Sequence, residues 1–171
     1  MPPLANDRNI ILIGMPGVGK STVGVLLAKV TSRSFVDTDV LIQAKEGRRL
    51  QEIIDTDGTA AFRTIEERDI LSLKCHGYVI ATGGSVVYSD RAMRHLKSSG
   101  AAVHLYLPFP VLEKRITDLD SRGIVIERDQ TLKDLFDERQ PLYERYADAT
   151  VDCTGLTHEQ VVAAMVKALG S

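Results

Sequence analysis

Eight residues, Gly14-Met15-Pro16-Gly17-Val18-Gly19-Lys20-Ser21, have the types and spacing of a phosphate-binding loop, G-x-x-x-x-G-K-[ST]. The glycines let backbone N–H groups curl around an anion. A helix beginning at Lys20 adds further donors and a favourable dipole. Lys20 is expected to reach between β- and γ-phosphates, and Ser21 to offer its hydroxyl to Mg²⁺. Gly14, Gly17, Val18, Gly19, Lys20, Ser21 and Thr22 form the expected nucleotide cradle. The Gly17–Gly19 pair does not make a dinucleotide fingerprint, because Thr22 stands where the third glycine belongs. By itself the loop specifies phosphate and metal, and leaves an ATPase, a GTPase and a kinase open.

The other chemistry-bearing residues are spread along the chain. Asp37-Thr38-Asp39 follows the apolar pair Phe35-Val36. Ligands of open α/β sheets gather beyond the carboxyl ends of strands. If the first two strands are neighbours, Asp37 can support a Mg²⁺ shell and Asp39 can orient an acceptor hydroxyl and receive its proton. The local alternative for this pair is a turn and helix cap. Arg63 suits bidentate binding of a carboxylate, with Glu66, or alternatively Glu67, as its brace; a surface ion pair is the other reading. Thr82-Gly83-Gly84-Ser85 can bring backbone amides against a substrate or serve as an ordinary turn. Arg122 adjoins Gly123 and could close over a transferring phosphate. Arg115 could lie over adenine, and Arg128 and Arg139 carry further charge; solvated helix charge is the local alternative for each. His76, His95, His104 and His158 have no metal or catalytic spacing.

These residues need elements to position them. Ile10–Ile13 is a continuous apolar run, the pattern of a central strand covered on both faces. Further strands are expected at 34–36, 78–81, 102–107 and 149–151. Helices are expected at 20–31, 40–45, 50–55, 59–73, 89–97, 110–118, 132–146 and 157–169. The helix at 132–146 should bend or break near Pro141, and the last is capped by Thr157 with Gln160 three residues on. Alternating strands and helices argue for a parallel sheet covered by helices.

Composition bounds the remainder. At 171 residues, with 44% hydrophobic and 26% charged residues, the chain suits one packed domain. Twenty-one basic against 23 acidic residues, a formal charge of −2, give no reason to expect nucleic acid as a partner. No stretch approaches the length of a membrane span, and Met1–Asn9 lacks the apolar core of a signal peptide. Two cysteines, Cys75 and Cys153, make no disulfide scaffold. A cytoplasmic monomer is the expectation.

In order and type these features resemble the shikimate kinase family. The resemblance runs from Ile10 to about Leu169 and is most specific at Gly14–Ser21, Asp37-Thr38-Asp39, Phe62-Arg63 with Glu66, Gly83-Gly84, and Glu138-Arg139 through Pro141-Leu142-Tyr143. It implies an α/β P-loop fold of three layers, with a five-stranded parallel sheet of order 2-3-1-4-5. It further implies transfer of phosphate from ATP to the 3-hydroxyl of shikimate. On this resemblance Lys20 and Ser21 serve ATP·Mg²⁺, Asp37 is the metal-associated carboxylate, and Asp39 contacts the acceptor hydroxyls. Arg63 and Arg139 grip the acceptor carboxylate, with Glu66 orienting Arg63. Gly83 and Gly84 open the substrate loop, Arg122 is a lid arginine near the phosphates, and Arg115 lies beside adenine. Lys20, Asp39 and Arg122 are then the catalytic set. One kinase domain spans 1–171, with an ordered core at about 9–169, an acceptor region at about 38–70 and a lid at about 119–129. Two departures stand out. Ser85 replaces the third glycine of the substrate loop, and Arg122-Gly123-Ile124-Val125 stands where the family has Arg-Pro-Leu-Leu. They keep another small hydroxy acid in view as acceptor; a nucleotide-binding regulator and a nucleic-acid-associated ATPase are the remaining alternatives.

Overall fold

The computed structural model describes residues 5–118 and 129–170. Five strands form one sheet: β1 (Asn9–Ile13), β2 (Ser34–Asp37), β3 (Tyr78–Ala81), β4 (Gly100–Tyr106) and β5 (Ala149–Asp152). Their order is β2-β3-β1-β4-β5, and every pair is parallel. The continuous apolar run predicted the place of β1. Ile11 pairs with Ile80 on one side and Ala102 on the other, and Ile10 through Ile13 are all buried.

Helix α1 (Lys20–Val30) joins β1 to β2; α2 (Thr38–Glu46), α3 (Leu50–Asp57) and α4 (Thr59–Leu71) lead to β3. A short 3₁₀ turn (Val86–Tyr88) precedes α5 (Asp90–Ser99); α6 (Phe109–Asp118) and α7 (Leu132–Tyr146) lie between β4 and β5, and α8 (His158–Ala168) closes the chain. Right-handed crossovers dictate the layers. The connection from β1 to β2 runs one way across the sheet and the later ones run back. So α1, with α8 packed beside it, covers one face, and α4, α5 and α7 cover the other. The main core lies between these layers. A second apolar centre of Ile42, Leu50, Ile53 and Phe62 ties α2, α3 and α4 together. It orients the helices that carry Asp39, Arg63 and Glu66.

Several expected boundaries move for local reasons. Helix α2 starts at Thr38 rather than Val40, because the Asp37 side chain accepts from the amides of Asp39 and Val40 and caps it. The helix expected from Ser89 is preceded by the 3₁₀ turn, with Ser89 as cap. Helix α7 runs through Pro141 without interruption, held at its start by a capping box of Thr131 and Asp134. The box of Thr157 and Gln160 on α8 forms as expected. Among the described residues no helix is long and apolar enough to cross a membrane. Both cysteines are free.

Candidate active site

Because all five strands are parallel, their carboxyl ends open onto one edge. The loop after β1, the end of β2 and the Thr82–Ser85 turn after β3 meet there. β1 and β2 are not neighbours; β3 stands between them, as the order 2-3-1-4-5 requires. The two sites still meet, because α1 carries Ser21 across. Its hydroxyl donates to Asp37 Oδ2 at 2.5 Å. Asp37 caps α2 through Oδ1, the turn-and-cap alternative weighed for it, while Oδ2 faces Ser21.

Helix α1 has no side-chain cap, and Gly19 precedes it in a left-handed conformation. Its first-turn amides are therefore offered to an anion rather than to a neighbouring side chain. Lys20 is 8% exposed, and its Nζ donates to the carbonyls of Gly14 at 2.8 Å and Met15 at 2.9 Å. Burial lowers its pKa to about 8, against the pull of Asp39 and Asp37. From α6, Arg115 Nη1 donates to the Val18 carbonyl of the loop at 3.4 Å. Ser21 Oγ and Asp37 Oδ2 together offer hard oxygen ligands. This small donor set fits Mg²⁺, which keeps waters and takes its remaining ligands from phosphates. Among the described residues no three His, Cys, Asp or Glu side chains gather as a metal-binding group.

Two glycines join the halves of the site. A Cβ on Gly83 would stand 2.7 Å from both Asp39 Oδ1 and Glu66 Oε1. A Cβ on Gly84 would stand 2.7 Å from an Arg139 Nη1 and 3.0 Å from Pro16 of the phosphate loop. Side chains here would separate Asp39, Glu66 and Arg139 from the loop, so close approach is what the glycine pair supplies. The turn is held by Thr38, whose hydroxyl accepts from Gly83 N at 3.1 Å, and by Tyr143, whose hydroxyl donates to Gly84 O at 2.7 Å.

Around this turn the charges are mostly hidden. Burial, with Asp37 adding to it, pushes Asp39 up to about 6 against Lys20. Glu66 is 3% exposed; burial pushes it up to about 7, while Ser85 and the two arginines act the other way. The Ser85 hydroxyl donates to Glu66 Oε2 at 2.6 Å, and Glu66 Oε1 is buried with no hydrogen-bond partner. Arg139 is 1% exposed, which rules out a solvated helix charge.

The brace expected between Glu66 and Arg63 is absent as a hydrogen-bonded ion pair in the described structure. Glu66 is turned to Ser85, and Glu67 to Ser89 and Arg91. Arg63 lies instead over the Tyr88 ring, 4.1 Å from its centroid. The sequence gives no sign of Tyr88; Thr38 and Tyr143 stand inside motifs of the resemblance but carry no role there, because each acts through a contact with a distant segment. Arg122, Arg128 and most of the expected lid at 119–129 lie outside the described residues.

The site therefore joins a phosphate loop to a buried wall of carboxylates and guanidinium groups. A shikimate kinase family profile matches residues 16–170. A curated shikimate kinase from Thermodesulfovibrio yellowstonii is 39% identical over 163 residues, 94% of each chain. The structure of shikimate kinase from Acinetobacter baumannii in complex with shikimate superposes with a TM-score of 0.83 at 31% identity, covering 94% of this chain and 91% of that one. That of the Aquifex aeolicus shikimate kinase gives 0.80 at 34%, covering 95% and 96%. With the profile spanning residues 16–170 and these relatives matched over nearly their whole length, this chain belongs to the shikimate kinase family, whose chemistry is small-molecule phosphoryl transfer.

Proposed function

We propose that the protein transfers the γ-phosphoryl group of ATP, with Mg²⁺, to the 3-hydroxyl of shikimate. The observation that carries this reading is the convergence at Gly83-Gly84. Asp39 and Glu66 stand on one side and Arg139 on the other, against Pro16 of the phosphate loop. A small acid held at its carboxylate by Arg63 and Arg139 presents an alcohol towards Asp39. As the new O–P bond forms and the bond to ADP breaks, the hydroxyl proton passes to Asp39. Lys20 offsets charge on the transferring group, and the loop amides hold the other phosphates. Ser21 and Asp37 would hold Mg²⁺, which supplies charge neutralisation and geometry at the phosphates. Glu66 Oε1 takes a hydrogen bond from the acceptor. A monomer working in the cytoplasm belongs to the same proposal.

The test is purified protein with ATP·Mg²⁺ against shikimate, quinate and short acyclic hydroxy acids, with and without an amino group, reading phosphorylated product by mass. Shikimate 3-phosphate as the most efficient product supports the proposal. Efficient phosphorylation of another acid, with only traces from shikimate, overturns the acceptor and keeps the kinase. One observation favours that second reading: Ser85 puts a hydroxyl where the family has glycine and occupies Glu66 Oε2 with it.

The charges also predict a pH profile. Transfer needs Asp39 ionised, so kcat/KM for ATP should rise through about pH 6. It needs Lys20 protonated, so the same parameter should fall as pH passes about 8. Bound phosphates favour the ammonium, so the alkaline limb of kcat should lie higher. Lys20→Arg should remove that limb, since a guanidinium keeps its proton. An unchanged alkaline limb in Lys20→Arg would assign it to another group.

A further inference from the structure

Two cations that must wait side by side for one carboxylate need something to hold them there. Arg63 comes from α4 and Arg139 from α7, and both meet Tyr88, the last residue of the 3₁₀ turn. The Tyr88 ring centroid lies 4.1 Å from Arg63 Cζ and 5.3 Å from Arg139 Cζ. Its hydroxyl accepts from Arg139 Nε at 3.3 Å and donates to Glu138 Oε1 at 2.5 Å. Glu138 Oε2 in turn accepts from Gln130 at 3.0 Å. Arg63 Nε is buried with no hydrogen-bond partner.

We propose that Tyr88 is a positioning residue of the acceptor site: its ring carries Arg63 and its hydroxyl fixes Arg139, so that both guanidinium groups stay aimed at the acceptor carboxylate. The inference rests on the carboxylate-clamp reading of those arginines and assigns the part that holds the clamp open. A guanidinium stacked by its face keeps its in-plane N–H donors for a planar acceptor. A hydroxyl that donates to a carboxylate is a better acceptor for Arg139. Without the ring, Arg63 would be drawn to Glu66, whose charge it already feels and whose Oε1 is buried with no hydrogen-bond partner. That collapse would consume the clamp and silence the carboxylate together. Tyr88 therefore takes over the task that a direct Glu66 brace would perform, and leaves Glu66 to Ser85 and the acceptor.

The experiment is steady-state kinetics of Tyr88→Leu, Tyr88→Phe and Arg63→Ala, with thermal midpoints. The acceptor is shikimate, or whichever acid of the panel above the wild type phosphorylates best. Tyr88→Leu should raise acceptor KM about tenfold or more and lower kcat by a smaller factor, with ATP KM nearly unchanged. Tyr88→Phe keeps the ring and should raise it no more than about threefold. In an Arg63→Ala background most of the Tyr88→Leu effect should vanish. Acceptor KM within twofold of wild type in Tyr88→Leu overturns the proposal. So does equal damage from Leu and Phe, or a parallel rise in ATP KM, which marks a merely structural residue. Should Tyr88→Leu not fold, Tyr88→Met takes its place with the same outcomes. If Arg63→Ala itself is silent, the clamp reading falls first. If Arg63→Ala is impaired while Tyr88→Leu is not, only the role of Tyr88 falls.

Discussion

Lys20→Ala is expected to lower phosphoryl transfer by about a thousandfold, with kcat carrying most of the loss. The transferring group spreads negative charge over its oxygens, and the ammonium is the cation that the loop itself supplies. Its setting makes the effect large. Lys20 is 8% exposed, so its charge acts with little screening by water. It is also already oriented, because the Gly14 and Met15 carbonyls hold Nζ at 2.8 and 2.9 Å. Phosphate oxygens can replace those carbonyls without the side chain being recruited from solvent. The loop amides remain in the variant, so ATP binding should weaken much less than turnover. The measurement is kcat and KM for ATP, with nucleotide affinity determined separately. Transfer near the wild-type rate would remove Lys20 from the mechanism. The buried ammonium also costs desolvation, which its loss relieves. A modest change in thermal midpoint is therefore expected, and a thousandfold loss of rate cannot be assigned to unfolding.

The parts of the fold and site that are legible in the sequence are those written locally. The phosphate loop is eight consecutive residues between an apolar strand and a helix, and its context predicts its geometry. The β1 run announces a strand covered on both faces, and the Thr157 to Gln160 spacing announces a capping box that forms. Residues whose meaning lies in a distant partner were ambiguous. Asp37 read equally as cap or metal-associated carboxylate, and it caps α2 while facing Ser21, 16 residues away in sequence. Arg139 looked like ordinary helix charge until α7 packed against the 3₁₀ turn and buried it. Tyr88 carried no signal, because its hydrogen bonds to Glu138 and Arg139 span 50 and 51 residues. Spacing of three along a helix suggested that Glu66 serves Arg63. In the fold, Ser85 from another segment takes Glu66 Oε2, and an aromatic ring takes Arg63. Helical spacing predicts which groups can meet, while the tertiary competitors decide which do.

Arg63→Ala carries the other large expectation: a fall of about a hundredfold to a thousandfold in kcat/KM for the acceptor, with ATP KM changed by less than about threefold. The asymmetry follows from the fold. Arg63 stands on α4, whose packing centre with α2 and α3 is separate from the core around the phosphate loop. Removing its side chain leaves the loop, Ser21 and Asp37 untouched. On the acceptor side it leaves a carboxylate facing Arg139 alone, and bidentate recognition by two guanidinium groups becomes recognition by one. Registration then loosens at the carboxylate end, and the alcohol no longer sits in line at Asp39, so kcat falls along with affinity. Arg63→Lys should recover little of the loss, because a point charge lacks the planar fork of the guanidinium whose Cζ lies 4.1 Å from the Tyr88 ring centroid. Substantial recovery by lysine would show that charge suffices and that stacking contributes little. Equal acceptor use by wild type and Arg63→Ala would mean that Arg139, buried and set against Gly84, holds the acceptor without help. In that case Arg63 would be a packing partner of Tyr88, and the clamp would contain a single arginine.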